Sequence, residues 1–285
     1  MVVFEKSQTR VWTPPGQSVD SSLSRCTHLG IGAHQDDLEF MAFHGIKECY
    51  SSPEKWFVGV TCTDGGGSSR TGAYSSYTDE EMKKIRVEEQ EAAALVGRFS
   101  AMIQLGYPSV EVKGKEKASL ATDLVKLLRA TRPEVVYTHN PADKHETHLG
   151  VLAAVLSAIH QLPREERPQR LLGCEGWRGL DWMLNEDKVL LDVGGHDNLA
   201  TALNGIFDSQ IAGGKRYDLA VMGRRRANAT FLDSHSGDDA TEVSIAMDLT
   251  PLILDEETSV PAFTQRYLDR LVADVATKLA RQFGA

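Results

Sequence analysis

The sequence predicts an α/β fold, a mostly parallel sheet with helices on both faces. Two observations carry that reading. Short apolar runs alternate with longer runs whose apolar residues recur every three to four positions. Clusters of Gly, Pro, Ser and Asp separate them. Strands alternating with helices build right-handed crossovers, which lay the strands parallel. A chain of 285 residues buries roughly three quarters of its unfolded surface as one domain, and residues 1–285 are read as one.

Residues 1–25 are polar, rich in Ser and Pro, and read as an arm laid on the surface. A buried strand is expected at 27–33, and a second at 56–62 runs into the turn-rich segment 63–76. Residues 80–97 read as a helix, with Met82, Ile85, Glu89, Ala92, Ala93 and Val96 at helical spacing and Gly97 as its stop. A third strand (101–106), a helix (120–131), a fourth strand (134–138) and a helix (148–162) follow. In the less regular second half, 170–177 and 188–193 read as strands, 198–211 as a helix and 241–249 as a late strand. The tail, 262–283, is an amphipathic helix whose stripe of Tyr267, Leu268, Leu271, Val275 and Leu279 is expected to pack on the protein's own sheet. The arrangement is Rossmann-like. A metal site is expected at the C-terminal strand ends, where open parallel sheets bind their ligands.

Composition narrows the function. Hydrophobic residues are 41% and charged residues 25%, values of an ordinary globular protein. With 40 acidic and 31 basic residues the net charge is −9, which argues against nucleic acid as the main partner. No run of 18 apolar residues exists, so no membrane span is expected. Lys6 and Arg10 stand where the apolar core of a signal peptide would run, so no signal peptide is expected. Cys26, Cys49, Cys62 and Cys174 form no C-x-x-C pair, and a reducing cytoplasm is the expected compartment.

Two polar clusters carry the chemistry. His34, Asp36 and Asp37 follow the first strand, where adjacent carboxylates repel unless a cation or proton lies between them. On local sequence alone, a solvated loop with a capping Asp fits equally well. His139, Asp143, His145 and His148 fall within ten residues after the fourth strand and repeat the same strand-loop-helix placement. Together the clusters supply one carboxylate and two histidines for a metal, with a carboxylate and a histidine to spare. Zinc hydrolases use three protein ligands and leave a position open for water.

These stretches resemble the PIG-L/LmbE family of zinc-dependent de-N-acetylases, which act on N-acetylglucosaminyl compounds. The family's A-H-P-D-D motif stands here as Ala33-His34-Gln35-Asp36-Asp37, and its D-x-H-P-D-H motif as Asp143-Lys144-His145-Glu146-Thr147-His148. Arg86, Glu89, Ala93 and Gly97 match the spacing of an intervening helix, and Ser209-Gln210 resembles a later Ser-Gln. The resemblance covers 27–160 well and the remainder loosely. It implies that His34, Asp37 and His148 bind zinc and that Asp36 is the general base. It also implies that His145 protonates the leaving amine or steadies the oxyanion, and that Arg86 contacts substrate. Gln35 replaces the motif proline. Glu146-Thr147 replaces Pro-Asp, so a carboxylate to orient His145 is either missing or supplied otherwise, with Asp143 the candidate.

Weaker signals surround these. The glycine-rich 63–72 segment lacks the spacing of a phosphate loop and reads as an active-site rim, with Asp64 near the sheet edge as a candidate substrate contact. Arg224-Arg225-Arg226 reads as a solvated or ion-paired face. Trp177, Trp182 and Tyr74 are candidates for a sugar-pocket wall. The expectation is a zinc-dependent hydrolase removing an N-acetyl group from an N-acetylglucosamine-type compound. Its partner is a small amino-sugar substrate, and homo-oligomerisation stays open. Two rivals remain. His34-Gln35-Asp36 with His148 also fits a facial triad for Fe(II), though such oxygenases are usually all-β. A nucleotide-binding module without chemistry would leave both clusters without a purpose.

Overall fold

A computed structural model describes residues 2–114 and 117–284. Eight strands form one sheet: β1 (Arg10–Trp12), β2 (His28–Gly32), β3 (Phe57–Thr63), β4 (Ala101–Tyr107), β5 (Val135–His139), β6 (Arg170–Cys174), β7 (Val189–Asp192) and β8 (Val243–Asp248). Their order is β1-β4-β3-β2-β5-β6-β8-β7. The five from β4 to β6 are parallel, and β1, β8 and β7 pair antiparallel at the margins. The expected α/β class is borne out. From β2 the chain steps outward one way through β3 and β4, then returns to β2's other side with β5. The central pair therefore lies where the strand order reverses, the usual crevice for a ligand.

Side chains alternate across the strands, and each face buries its own apolar layer. Ile31, Val58, Val60 and Val136 meet Leu124, Leu127, Val151 and Val155 on one face. On the other, Phe57, Met102 and Tyr137 meet Leu38, Phe43, Ile46 and Ala93. Helices accordingly cover both faces.

The N-terminal arm is a correction. Residues 10–12 add an edge strand to the sheet, and Leu23, on a helix from Val19 to Ser24, is buried in the core. The arm is fastened by Asp123, fully buried, which accepts from the Glu5 amide (3.0 and 3.2 Å) and from the Tyr107 hydroxyl (2.7 Å).

The Asp79–Val96 helix opens on a capping box between Thr78 and Glu81. Its buried face is Met82, Arg86, Gln90, Ala93 and Ala94, rotated from the apolar stripe expected, because polar side chains are turned inward to reach the site. The expected 198–211 helix is two, Asp197–Gly205 and Asp208–Ile211, broken where Phe207 inserts into the core. The tail helix Val260–Phe283 is also corrected. Only Phe263 on it is buried, with Tyr267 against it, while Leu268, Val272, Val275, Leu279 and Phe283 are exposed. No described helix is long and apolar enough to cross a membrane.

Asp123→Ala is expected to cost about 3 kcal/mol, since it strands the Tyr107 hydroxyl and the Glu5 amide at once. Urea unfolding of the variant checks this; a loss under about 0.5 kcal/mol would show that the arm is not held there.

Candidate metal centre and its cleft

The carboxyl ends of β2 and β5 open on a cavity of about 520 Å³. After β2 the chain turns through Ala33–Asp36 into a short helix, Asp37–Met41. Asp37 folds back on the strand end, and its Oδ2 accepts from the amides of Ala33 (3.0 Å) and His34 (2.7 Å). Glycine at 32 permits this, because a Cβ there would stand 2.9 Å from that of Asp37. The His34 Nδ1 lies 3.3 Å from the same Oδ2, and Oδ1 is 3.5 Å from Nε2 of His148. Burial alone would raise this carboxyl, but His148, His139 and His34 hold it well below the ordinary carboxylate range.

Asp36 lies beside it with φ 95°, a left-handed backbone that a non-glycine residue rarely adopts. Its amide donates to Gln90 Oε1 (3.1 Å). Its Oδ2 accepts from both terminal nitrogens of Arg86, at 3.3 and 3.2 Å. Burial pushes Asp36 up to about 6, with Asp37 adding to the rise and Arg86 opposing it. Burial likewise pushes Glu39 up to about 8, although Gln90 Nε2 donates to it at 2.8 Å. Arg86 was expected to touch substrate. It borders the cavity but is 1% exposed, and its donors go to Asp36 and the Gln35 carbonyl. Gln35, in place of the motif proline, ties the turn to the sheet through Gln104 (3.1 Å).

β5 delivers the second cluster. His139 accepts from the Ala33 amide through Nε2 (3.0 Å) and stacks on His148 at 3.8 Å between ring centroids. His145 precedes the Glu146–His160 helix and caps it, its Nδ1 accepting from the Thr147 amide at 3.2 Å. The neutral ring therefore carries its proton on Nε2. Burial, with His148 and His34, lowers His145 to about 4. Asp143 corrects an expectation. Its Oδ1 accepts from the His145 amide (2.9 Å), while Oδ2 accepts from the Trp177 amide (3.0 Å) and lies 3.3 Å from Nδ1 of His148. It faces the imidazole of His148 and not that of His145. Burial would lower His148, but Asp37 and Asp143 outweigh it and raise its pKa.

His34, Asp37 and His148 present ligand atoms within 4.8 Å of one another. Nε2 of His148 is buried without a hydrogen-bond partner, the condition that a metal would relieve. Two imidazoles and a carboxylate suit zinc. His139, Asp143 and His148 are equally close together, but His139 Nε2 and both Asp143 oxygens already accept from backbone amides. The facial-triad alternative needed Asp36 among the ligands, and Asp36 instead pairs with Arg86.

Phe40, Trp177 and Tyr217 wall the cavity, with Trp177 and Tyr217 edge to face at 6.1 Å. Trp182 and Tyr74 do not line it; Trp182 packs against the core and Tyr74 donates to Asp208. The glycine-rich segment does border it, through Gly65, Gly67, Ser68 and Ser69. Gly65 has φ +73°, and a Cβ there would meet Gln35 Oε1 at 2.6 Å. Asp64 accepts from the Gly66 amide, lies 3.3 Å from Lys83, and is not among the residues that line the cavity. Ser209 donates twice to Glu89 at 2.7 Å, which sets Gln210 at the cavity wall. The three arginines divide. Arg224 lines the cavity, Arg225 is buried against the carbonyls of Glu39 and Phe40, and Arg226 pairs with Glu242. Gln90, Tyr217 and Lys215 were not singled out in sequence. The i, i+4 relation of Gln90 to Arg86 was the one available signal.

Fold and site together define an α/β protein with a metal-ready cluster at its topological switch point. Residues 29–159 match the family model of PIG-L, GlcNAc-PI de-N-acetylase, which bears out the resemblance carried by the two motifs. No curated protein matches the chain significantly in sequence. Solved structures share its fold. Conserved protein TT1542 from Thermus thermophilus aligns with TM-score 0.60 and 17% identity, over 82% of this chain and 99% of that one. GalB, the 4-carboxy-2-hydroxymuconate hydratase from Pseudomonas putida KT2440, aligns with TM-score 0.61 and 18% identity over 79% and 96%. The N,N'-diacetylchitobiose deacetylase from Pyrococcus horikoshii aligns with TM-score 0.59 and 18% identity over 80% and 85%. At such identities the likeness is one of fold. A fold that hosts both a hydratase and a deacetylase leaves the reaction to be argued from the site.

Because Asp143 faces His148, Asp143→Asn is expected to weaken metal binding roughly 10- to 100-fold. Competition against a chelator reads this directly. Unchanged affinity would remove Asp143 from the support of His148.

Proposed function

We propose that this protein is a zinc-dependent hydrolase that removes the N-acetyl group from an N-acetylglucosamine-type compound. The observation that carries the reading is the division of labour between two adjacent carboxyls. Asp37 is fixed by backbone amides and aimed at two histidines, while Asp36 is held apart by Arg86 and raised to about 6. The PIG-L match over 29–159 supports the same reading.

His34, Asp37 and His148 would hold the zinc. When bound there, zinc would polarise the acetyl carbonyl and acidify the attacking water. Asp36 takes the water's proton as general base. Arg86 engages only its Oδ2, which leaves Oδ1 for that proton. The water oxygen bonds to the acetyl carbon and the C–N bond breaks. The leaving nitrogen then takes a proton from Asp36 or from Nε2 of His145. His145 is fixed by the Thr147 amide, and its ring lies 5.0 Å from that of His34 and 4.7 Å from that of His148 between centroids. Acetate and a free amine leave. Trp177 and Tyr217 offer the flat apolar surface on which a sugar ring packs.

Two outcomes are expected. Purified protein should carry about one zinc per chain and release acetate from N-acetylglucosaminides without oxygen. Asp36→Asn should keep that zinc while kcat falls roughly 10²- to 10⁴-fold. Activity lost under anaerobic conditions, or zinc lost in Asp36→Asn, would sink the assignment. The second outcome concerns pH. A base must be deprotonated, so kcat/KM should fall as pH drops through about 6, or lower if a bound dication further favours the carboxylate. In His145→Ala that acid limb should persist and kcat should drop more than KM rises. An acid limb that disappears with His145 would reassign the base.

A further inference from the structure

We propose that the exposed stripe of the last helix, Val260–Phe283, is a homodimer seam that packs antiparallel on the same stripe of a second copy of this chain. The seam is independent of the reaction assigned to the cleft, since no residue of that helix lines the cavity.

The helix carries two apolar stripes. One holds it to the body: Phe263 is buried, the Tyr267 ring packs on it at 5.3 Å between centroids, and Arg270 bonds Glu186 and Asp187. The other comprises Leu268, Val272, Val275, Leu279 and Phe283, which are between 37% and 81% exposed. By helical periodicity it lies roughly a third of a turn away from the first, so the body does not cover both. Nor does the body follow the helix to its end. From Val275 to Phe283 every residue is exposed, a free stretch of about 13 Å. So short a length of helix is marginal in water unless its apolar face is covered.

Spacing, charge and area select a second copy as the cover. From Leu268 through Val272 and Val275 to Leu279 the intervals are four, three and four, the same in both directions. A two-fold axis between Val272 and Val275 therefore sets Leu268 against Leu279 and Val272 against Val275, and each apolar residue of the set meets another. The stripe itself bears no charge. Asp269 and Lys278 flank it, engaged by Gln265 and Asp274. The same axis brings Asp269 of one copy level with Lys278 of the other on opposite flanks, so no like charges meet beside the seam. The five side chains expose roughly 500 Å² on each helix, so two copies bury on the order of 1,000 Å², the size at which an interface becomes specific. The antiparallel direction follows from the free tip. Each body holds only the first half of its helix, so the two bodies stand at opposite ends of the seam and each lies beside the other's tip.

Sedimentation of the full chain at about 100 μM tests this, a concentration suited to an interface near the lower size limit. The double variant Val275→Lys/Leu279→Lys is expected to sediment at half the mass of the wild type, with its thermal unfolding in dilute solution unchanged. Direction is read by cross-linking with a short bis-maleimide, because Cys26, Cys49, Cys62 and Cys174 are buried and an introduced thiol is the accessible one. Leu268→Cys and Leu279→Cys proteins mixed together should cross-link several times faster than either alone. A wild-type monomer at that concentration overturns the proposal, as does an assembly whose mass the two lysines leave unchanged. Cross-linking of each cysteine variant with itself as fast as in the mixture overturns the antiparallel seam. Flotation of the wild type with phosphatidylcholine vesicles, lost in the lysine variant, would assign the stripe to a membrane surface and overturn the dimer.

Discussion

Everything at the centre of this protein depends on Asp37 folding back onto the strand that precedes it. One oxygen takes two backbone amides, which fixes the carboxylate beside the His34 imidazole and leaves the other oxygen toward His148. The demand reaches into the sequence on both sides. The strand must end in a residue without a Cβ, and the turn must be tight enough to set a second carboxyl beside the first. A metal cluster assembled from two strand ends tolerates little slack, since ligand atoms have to converge on a point only a few ångströms across.

Three carboxyls crowd into four residues here, and the protein keeps them from acting as three charges. Asp37 remains ionised among imidazoles, Asp36 is poised near 6 and Glu39, near 8, is neutral in neutral solution. Gln90 links the arrangement, accepting from the Asp36 amide with one end and donating to Glu39 with the other. Among the described residues, Arg86 supplies the only full positive charge that touches Asp36. Burial and hydrogen bonding together thus give each acid a different affinity for a proton, where carboxyls in water differ little.

The strands and both histidine clusters were legible because their signals are local. A buried strand announces itself in a few residues, and a ligand cluster follows it directly in the chain. What sequence misjudged was contact at long range. Arg86 matched a substrate-facing position, but which way its guanidinium turns is decided by Asp36, fifty residues earlier. Asp143 sits two residues from His145 and five from His148, and only the bend into the helix chooses between them. The Asp79–Val96 helix buries arginine and glutamine, so an apolar-periodicity rule chose the wrong face. The tail helix kept its predicted pattern and lacked the predicted partner, because amphipathicity states which face is apolar but not what covers it.

Asp36 adopts its left-handed backbone at a position where glycine would rest without strain. Such a conformation stores on the order of 1–3 kcal/mol. The surrounding contacts with Gln90 and Arg86 hold it in place. The turn is therefore a site of conflict between folding and the proposed chemistry. Selection for heat resistance alone would favour losing the carboxyl, and selection for turnover would retain it. Stabilising substitutions compatible with function should accordingly be sought away from this turn, in the elements that brace it.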